Sequence, residues 1–275
     1  MLLWLKRHCP LFLKNHLKYL LFLRYKITEA LSLSQRVYYC PCCGIKLSHF
    51  IDGGYNKKNN VINPKRYEHI RQDIICPACQ SLPRHRILAS WCQDNLNLLT
   101  NNKILYFSLE TSMMLWFKRN GIPVTSADLF NSADLKLDIE LIDQPDNVWN
   151  VVFCNHVLEH VNNYKKALAE LKRILTPGGK LICSFPIDNS LETVDEDVSL
   201  AVDMSEERDC ERIRRFGQKN HLRVFGLDSK QLLEGAGFSV TVIDGDTMPA
   251  EILPVVGPAD YDSNKLFACE KSQIF

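Results

Sequence analysis

The sequence predicts an α/β protein: a doubly wound, seven-stranded, mostly parallel sheet over residues 84–275, behind a cysteine-bearing unit at 37–83 and a basic helical arm at 1–36. Three observations carry this expectation. From residue 84 onward, apolar runs of strand length alternate with helical patterns, as in βαβ units that build a parallel sheet. Two Cys-x-x-Cys pairs, Cys40/Cys43 and Cys76/Cys79, bracket the polar, turn-rich stretch "DGGYNKKNNVINPK". Ahead of them, seven Lys or Arg stand against one acid, Glu29, up to residue 39.

Composition bounds the answer. A chain of 275 residues holds one large domain, or a large one and a small one. It is 46% hydrophobic and 24% charged, ordinary for a soluble globular protein. A net charge of +1 gives no overall electrostatic drive toward nucleic acid. Of the eleven cysteines, four form the two pairs. The other seven (Cys9, Cys42, Cys92, Cys154, Cys183, Cys210 and Cys269) are scattered, mostly among apolar neighbours. That usage fits metal binding in a reducing, cytoplasmic setting rather than a disulfide framework.

In the arm, Leu13, Leu17, Leu20 and Leu21 recur at helical spacing after Pro10, with Lys14, Lys18 and Arg24 between them. The charges interrupt the apolar residues too often for a membrane span of roughly 20 residues. No small-residue cleavage site follows, so a secretory signal is not expected. Such a helix either packs on protein, the favoured reading, or lies on an anionic membrane surface through residues 1–30.

The two cysteine pairs are copies of one device. Cysteines separated by two residues present both sulfurs to one ion across a tight turn. Four thiolates complete a tetrahedral site with no open position, so Cys40, Cys43, Cys76 and Cys79 are expected to hold a structural zinc in a ribbon. Cys42 is the odd member and is expected to point away. The next segment, "SLPRHR", puts Arg84, His85 and Arg86 in the first turn of a helix, where the macrodipole disfavours positive charge. Anion binding by Arg84 is one reading and a solvated basic turn the other.

The alternating region then reads as a helix over 84–98, a strand over 103–107, a helix over 112–120 stopped by Gly121, and strands over 123–129, 135–139 and 149–154. A helix over 164–175 ends at "TPGG", followed by a strand over 180–185. A capped helix at "DSKQLLEGAG" and strands over 238–243 and 265–270 complete the set. In doubly wound sheets the ligand sits beyond the carboxyl ends of the strands, at the switch point. The turn after Phe107, Asp128, Asp138–Ile139 and the "CNH" of Cys154, Asn155 and His156 therefore meet in space. An acid ending the second strand suits ribose hydroxyls, and one after the third suits an adenine amino group.

The stretch "NVWNVVFCNHVLEHVNNYKKALAELKRILTPGGKLICSFP" resembles the second half of class I S-adenosylmethionine-dependent methyltransferases, and "SADL" resembles their second-strand acid. "RFGQKNHLRVFG" with "LLEGAGFSV" resembles a subgroup in which a cysteine knuckle and an "RHR" helix precede the domain. The likeness covers roughly residues 37–270 and departs from the family at Asn150, where an Asp is usual. It implies a Rossmann-like methyltransferase with S-adenosylmethionine as cofactor. The glycine-rich first loop of the family is absent. "FSLE" matches a compact turn of the subgroup, so Ser108 and Glu110 are expected to bind cofactor, Glu110 through its amino group.

Methyl transfer from a sulfonium needs positioning of the acceptor, and a base where the acceptor must lose a proton. The resemblance places His221, His156 and His160 as candidate bases, with His221 favoured and Arg223 beside it as a substrate ligand. Glu159 reads as an orienting partner, and the acid-rich 188–209 segment as a lid or a solvated insertion. The expected acceptor is a saccharide or other small molecule. RNA methylation through the ribbon is the less favoured enzyme reading, because no basic-aromatic surface accompanies it. A cofactor-less scaffold that keeps the fold is the alternative from another class.

Overall fold

The computed structural model describes residue 20 and residues 38–53, 71–197, 206–252, 261–262 and 264–272. The arm reading therefore lies outside the described residues apart from Leu20, as does most of the Asn/Lys-rich loop.

In chain order, the cysteine unit contributes β1 (Tyr38–Cys40), β2 (Ile45–Leu47), β3 (Ile51–Gly53) and β4 (Arg71–Ile75), paired β1–β2 and β3–β4, both antiparallel. Next come α1 (Pro83–Asp94), α2 (Leu96–Thr100), β5 (Ile104–Phe107), α3 (Thr111–Asn120), β6 (Thr125–Asp128), β7 (Leu135–Lys136) and β8 (Trp149–Asn155). After them run α4 (Tyr164–Ile174), β9 (Leu175–Ser184), β10 (Ile187–Asp188), β11 (Asp195–Glu196), α5 (Glu206–Phe216) and β12 (Arg223–Val224). The chain closes with α6 (Ser229–Gly235), β13 (Phe238–Asp244), β14 (Tyr261–Asp262) and β15 (Lys265–Lys271).

The central sheet has seven strands in the order β13-β15-β9-β8-β5-β6-β7. The pairs among β9, β8, β5, β6 and β7 are parallel, and β15 runs antiparallel to both of its neighbours. This is the Rossmann-like methyltransferase fold. Strand periodicity explains the two cores. Leu105 and Phe107 of β5, with Val152 and Cys154 of β8, face a cluster shared with α4 and α6. Tyr106 and Phe153 face the opposite cluster, which holds α1, α3 and the four paired cysteines. The cysteine unit thus packs directly on the sheet's helical layer. Tyr39 N–H donates to Glu251 O (2.8 Å), and the Arg119 guanidinium donates to Pro41 O (3.0 Å).

Helix ends follow local chemistry. Gly121 ends α3 in the left-handed region (φ +66°), which a glycine adopts without strain. Asn163 caps α4 by accepting from Lys166 N–H at 3.0 Å. Two elements differ from expectation. The 84–98 helix breaks at Asn95 into α1 and α2. The "TPGG" segment is no turn: β9 starts at Leu175 and passes through it, with a register shift where Trp149 pairs with Leu175 and Val151 with Lys180. Gly178 takes φ +74°, and a Cβ on Gly179 would lie 2.8 Å from Thr176 O. The glycines make this bulge passable.

Within the insertion between β9 and α6, β11 pairs with β12, while β10 pairs with β14 from the segment ahead of β15. Asp197 receives both Arg208 and Arg212, and Asp195 pairs with Arg215. These acids are therefore held by the arginines of α5, while residues 198–205 of the expected lid lie outside the described residues. Among the described residues, no helix is long and apolar enough to cross a membrane.

Candidate functional site: a divided cleft beside a four-cysteine cluster

The four paired cysteines are buried, and their sulfurs lie within 4.8 Å of one another. Cys40–Cys79 and Cys43–Cys76 are 3.6 and 3.9 Å apart. A tetrahedron of roughly 2.3 Å zinc–sulfur bonds has edges of about 3.8 Å, so the set fits zinc. Burial would raise the Cys40 thiol, but hydrogen bonds from Cys42, Cys43, Cys76 and Cys79 draw it well below its usual value. Cys42, also buried, gives its thiol to His85 O at 3.3 Å and lies within hydrogen-bond reach of Cys40 as well.

Arg86 explains half of the "RHR" segment. It is fully buried and donates to Ile74 O, Ser81 O and Ile252 O at 2.7–3.2 Å. Its guanidinium also lies 4.1 Å from the Phe50 ring centre. It braces the cysteine unit against the sheet domain. Arg84 remains half-buried, 3.9 Å from Glu110, and lines neither cavity of the cleft.

At the carboxyl ends of β5, β6 and β8, two cavities of about 460 and 450 Å³ share Ser108, Asp128 and Asn131. The chain leaves β5 toward β6 on one side, while β8 lies on the other, so this is the switch point of the sheet. Ser108 stands at φ +53° and donates to Asp128 Oδ2 at 3.0 Å, a contact that spans the boundary between the cavities. Asp128 Oδ1 accepts from Phe130 and Asn131 N–H at 2.8 and 2.7 Å. Partial burial would raise its carboxyl, but these bonds hold it below the usual range.

The first cavity contains Glu110, His85 and Ser112. Leu82 N–H donates to His85 Nδ1 (3.0 Å), so the ring proton sits on Nε2 and is given to Glu110 Oε1 at 2.9 Å. Tyr106 donates to Glu110 Oε2 at 2.9 Å. Burial would raise the Glu110 carboxyl, but interaction with His85 and then Arg84 brings it down to about 2. Glu110 is thus an ionised acid, 24% exposed, with lone pairs to spare. Ser112 Oγ, in the first turn of α3, is buried without a partner. A carboxylate acceptor for an ammonium and a helix N-terminus with an orphaned hydroxyl for a carboxylate suit the two ends of an amino acid. The residues present therefore fit the methionine part of S-adenosylmethionine.

The second cavity contains Asp138, Ile139, Glu140, Phe130, His156 and His160. Asp138 is exposed and accepts from Glu140 N–H at 2.9 Å. Phe130, 90% exposed, stands at the rim. His156 adopts φ +52°, and its Nδ1 meets Glu159 Oε1 at 3.1 Å. Its Nε2 is buried without a partner. Burial would raise the Glu159 carboxyl, but the His156 hydrogen bond draws it below its usual value.

Besides Arg84, three expected site residues do not reach the cleft. Asn155 is buried, and its amide links Ser184 Oγ (2.8 Å) to the Tyr106 hydroxyl (3.5 Å). It acts on Glu110 only through Tyr106. His221 is 4% exposed, with Nδ1 on Phe216 O at 3.0 Å, and burial lowers it to about 4. Arg223 is 1% exposed, its guanidinium spent on Leu158, Val161 and Asn162 carbonyls at 2.6–3.0 Å. It clamps the "HVLEHV" turn and has no face for substrate.

The sequence reading missed His85, Tyr106 and Ser112. A His at the third position of a helix opened by Pro83 was the signal available for His85, since a side chain there can accept from the N-cap N–H as Glu or Gln does. Nothing local marked Tyr106, an ordinary buried strand residue.

Residues 110–243, just under half of the chain, match a family model described as a methyltransferase domain. No curated protein matches the chain. Solved structures similar to it include a Burkholderia thailandensis 1,6-didemethyltoxoflavin-N1-methyltransferase with bound S-adenosylhomocysteine, 14% identical, TM-score 0.45, covering 70% of this chain and 79% of that one. A Mesorhizobium loti S-adenosylmethionine-dependent methyltransferase is 12% identical with TM-score 0.46, covering 67% and 98%. One from Archaeoglobus fulgidus is 14% identical with TM-score 0.43, covering 68% and 94%.

Proposed function

We propose that the chain is an S-adenosylmethionine-dependent methyltransferase acting on a hydroxyl-bearing small molecule, such as a saccharide, with a structural zinc on Cys40, Cys43, Cys76 and Cys79. The observation that carries this reading is the pairing of ionised Glu110 with the orphaned Ser112 hydroxyl in one cavity, continuous across Ser108 and Asp128 with an acid-lined second one. In this reading Glu110 takes the cofactor's ammonium and Ser112 its carboxylate. Asp128 takes the ribose hydroxyls, and Asp138 and Ile139 with Phe130 border the adenine. When bound, the cofactor supplies an electrophilic methyl group on a sulfonium.

The chain's own part is to orient the acceptor and to take its proton. His156 suits the second task. Glu159 holds the ring proton on Nδ1, so Nε2 keeps its lone pair, buried and unpartnered in a residue that lines the second cavity. The sequence favoured His221, but its burial and its absence from the cleft lining support His156 instead. Among the described residues the cysteines are free of disulfides and, Cys210 apart, buried, which suits a cytoplasmic setting.

Calorimetry with S-adenosylhomocysteine, on protein shown to carry one zinc per chain, tests the reading. Binding is expected, and Asp128→Ala is expected to weaken it tenfold or more. No heat at millimolar ligand would overturn the proposal in favour of a scaffold.

A further inference from the structure

Beyond the cofactor cleft, the geometry points to a second metal site: we propose that Glu159, His160 and His221 bind one first-row divalent cation at the edge of the second cavity. One ligand atom from each of the three lies within 4.8 Å of the others. Two imidazoles and one carboxylate form a donor set suited to such ions.

The protonation pattern is the decisive feature. His160 Nδ1 lies 2.9 Å from Asn220 O, and His221 Nδ1 lies 3.0 Å from Phe216 O. A carbonyl only accepts, so each Nδ1 carries the proton and each Nε2 carries a lone pair. Metal-bound histidines are held this way by backbone carbonyls. Glu159 is fully buried, with Oε1 on His156 and Oε2 without a partner. Glu159 Oε2 is thus a buried acceptor without a donor, beside two imidazoles that each keep a lone pair, an arrangement that a cation satisfies and that is costly for the carboxylate otherwise.

The surrounding residues build this cluster. Leu222 N–H donates to Glu159 O at 2.8 Å, and Arg223 clamps the carbonyls on both sides of the turn. His221 is thereby fixed against His160, ring centres 4.7 Å apart. Ligand bonds of about 2.1 Å put three such atoms about 3–3.5 Å apart, within the 4.8 Å that bounds the set here. Half-buried His160 is the member free to move. His160 and Asn220 also line the second cavity, so the coordination positions left by three protein ligands face it. An oxygen of the acceptor suits such a position; this last step rests on the function proposed above.

The test is a titration of the protein, its cysteine site filled with one zinc per chain, with cobalt(II). One cobalt per chain is expected to bind with weak visible d–d absorption and no sulfur-to-cobalt charge transfer. His160→Ala and Glu159→Gln are expected to weaken binding at least tenfold, with zinc content and melting temperature reporting the fold. His49→Ala, an exposed histidine of the cysteine unit, is expected to leave binding unchanged. Absence of binding at millimolar cobalt, binding seen only as thiolate charge transfer with zinc released, or unchanged affinity in folded His160→Ala would each overturn the proposal. S-adenosylhomocysteine is titrated separately, so failure of the methyltransferase reading and failure of the metal site are distinguishable.

Discussion

Two histidine–glutamate pairs flank the divided cleft, and they are built in opposite senses. In the first, the acid faces the cavity and the histidine is consumed by structure: Nδ1 caps α1 and Nε2 serves Glu110. In the second, the acid is fully buried and the histidine lines the cavity, with Nε2 unpartnered. The same two side chains thus yield a fixed negative charge on one side and an available lone pair on the other. Which group works is decided by what the partner is already bonded to, not by residue type.

The largest expected effect comes from breaking the second pair. If His156 is the base, His156→Ala should lower kcat by about 10²–10⁴-fold, the usual worth of a positioned base. Affinity for S-adenosylhomocysteine should stay within about twofold, because no cofactor contact is assigned to the ring. Transfer of a labelled methyl group to an accepted hydroxyl compound reads the first quantity and calorimetry the second. A variant with unchanged kcat would leave the second pair structural, and the contrast between the pairs would fail.

A smaller effect is expected at the first pair. Replacing the acid by Glu110→Gln removes a charge-assisted contact worth about 1.5–3 kcal/mol, so S-adenosylhomocysteine should bind about 10–150-fold more weakly. Acid stability offers an independent reading. The folded Glu110 carboxyl sits at about 2, below an unfolded value of roughly 4.3. Between those values the unfolded chain binds more protons, so the stability contributed by Glu110 is present above the higher value and lost as pH falls toward the lower. Chemical denaturation from pH 5 to 2 should show a shallower loss in Glu110→Gln than in the wild type. Parallel profiles would mean that His85 does not hold this acid ionised.

The two pairs also differ in how much of them the sequence could reveal. The doubly wound sheet was legible because β5 and β8 are short apolar runs that alternate with helical patterns, and the cysteine pairs because their spacing is itself the chemistry. Asp128 was legible as an acid at a strand end. The first pair was not, since His85 and Glu110 are 25 residues apart and meet only when α1 packs beside the turn after β5. Arg223 misled for a related reason. A guanidinium beside a candidate base reads as a substrate ligand until tertiary structure supplies three carbonyls that use it up. Asn155 is the same lesson in a neutral side chain.

The smallest expected effect lies on the boundary between the pairs, where Ser108 meets Asp128. Ser108→Gly removes three things of similar size: left-handed strain of about 1–2 kcal/mol, a partly exposed hydrogen bond of about 0.5–1.5, and the rigidity of a non-glycine residue, about 0.5–1. The first stabilises the variant when relieved and the other two destabilise it, so the melting temperature should move little. Cofactor affinity should nonetheless change. Freed from Ser108 Oγ, Asp128 Oδ2 keeps only the longer 3.2 Å bond from Asn131 Nδ2 and accepts a ribose hydroxyl more readily, a gain of about 0.5–1 kcal/mol, or two- to fivefold tighter S-adenosylhomocysteine binding. If binding instead weakens with the fold intact, Ser108 is itself a cofactor ligand, and the serine joins the two halves of the site rather than separating them.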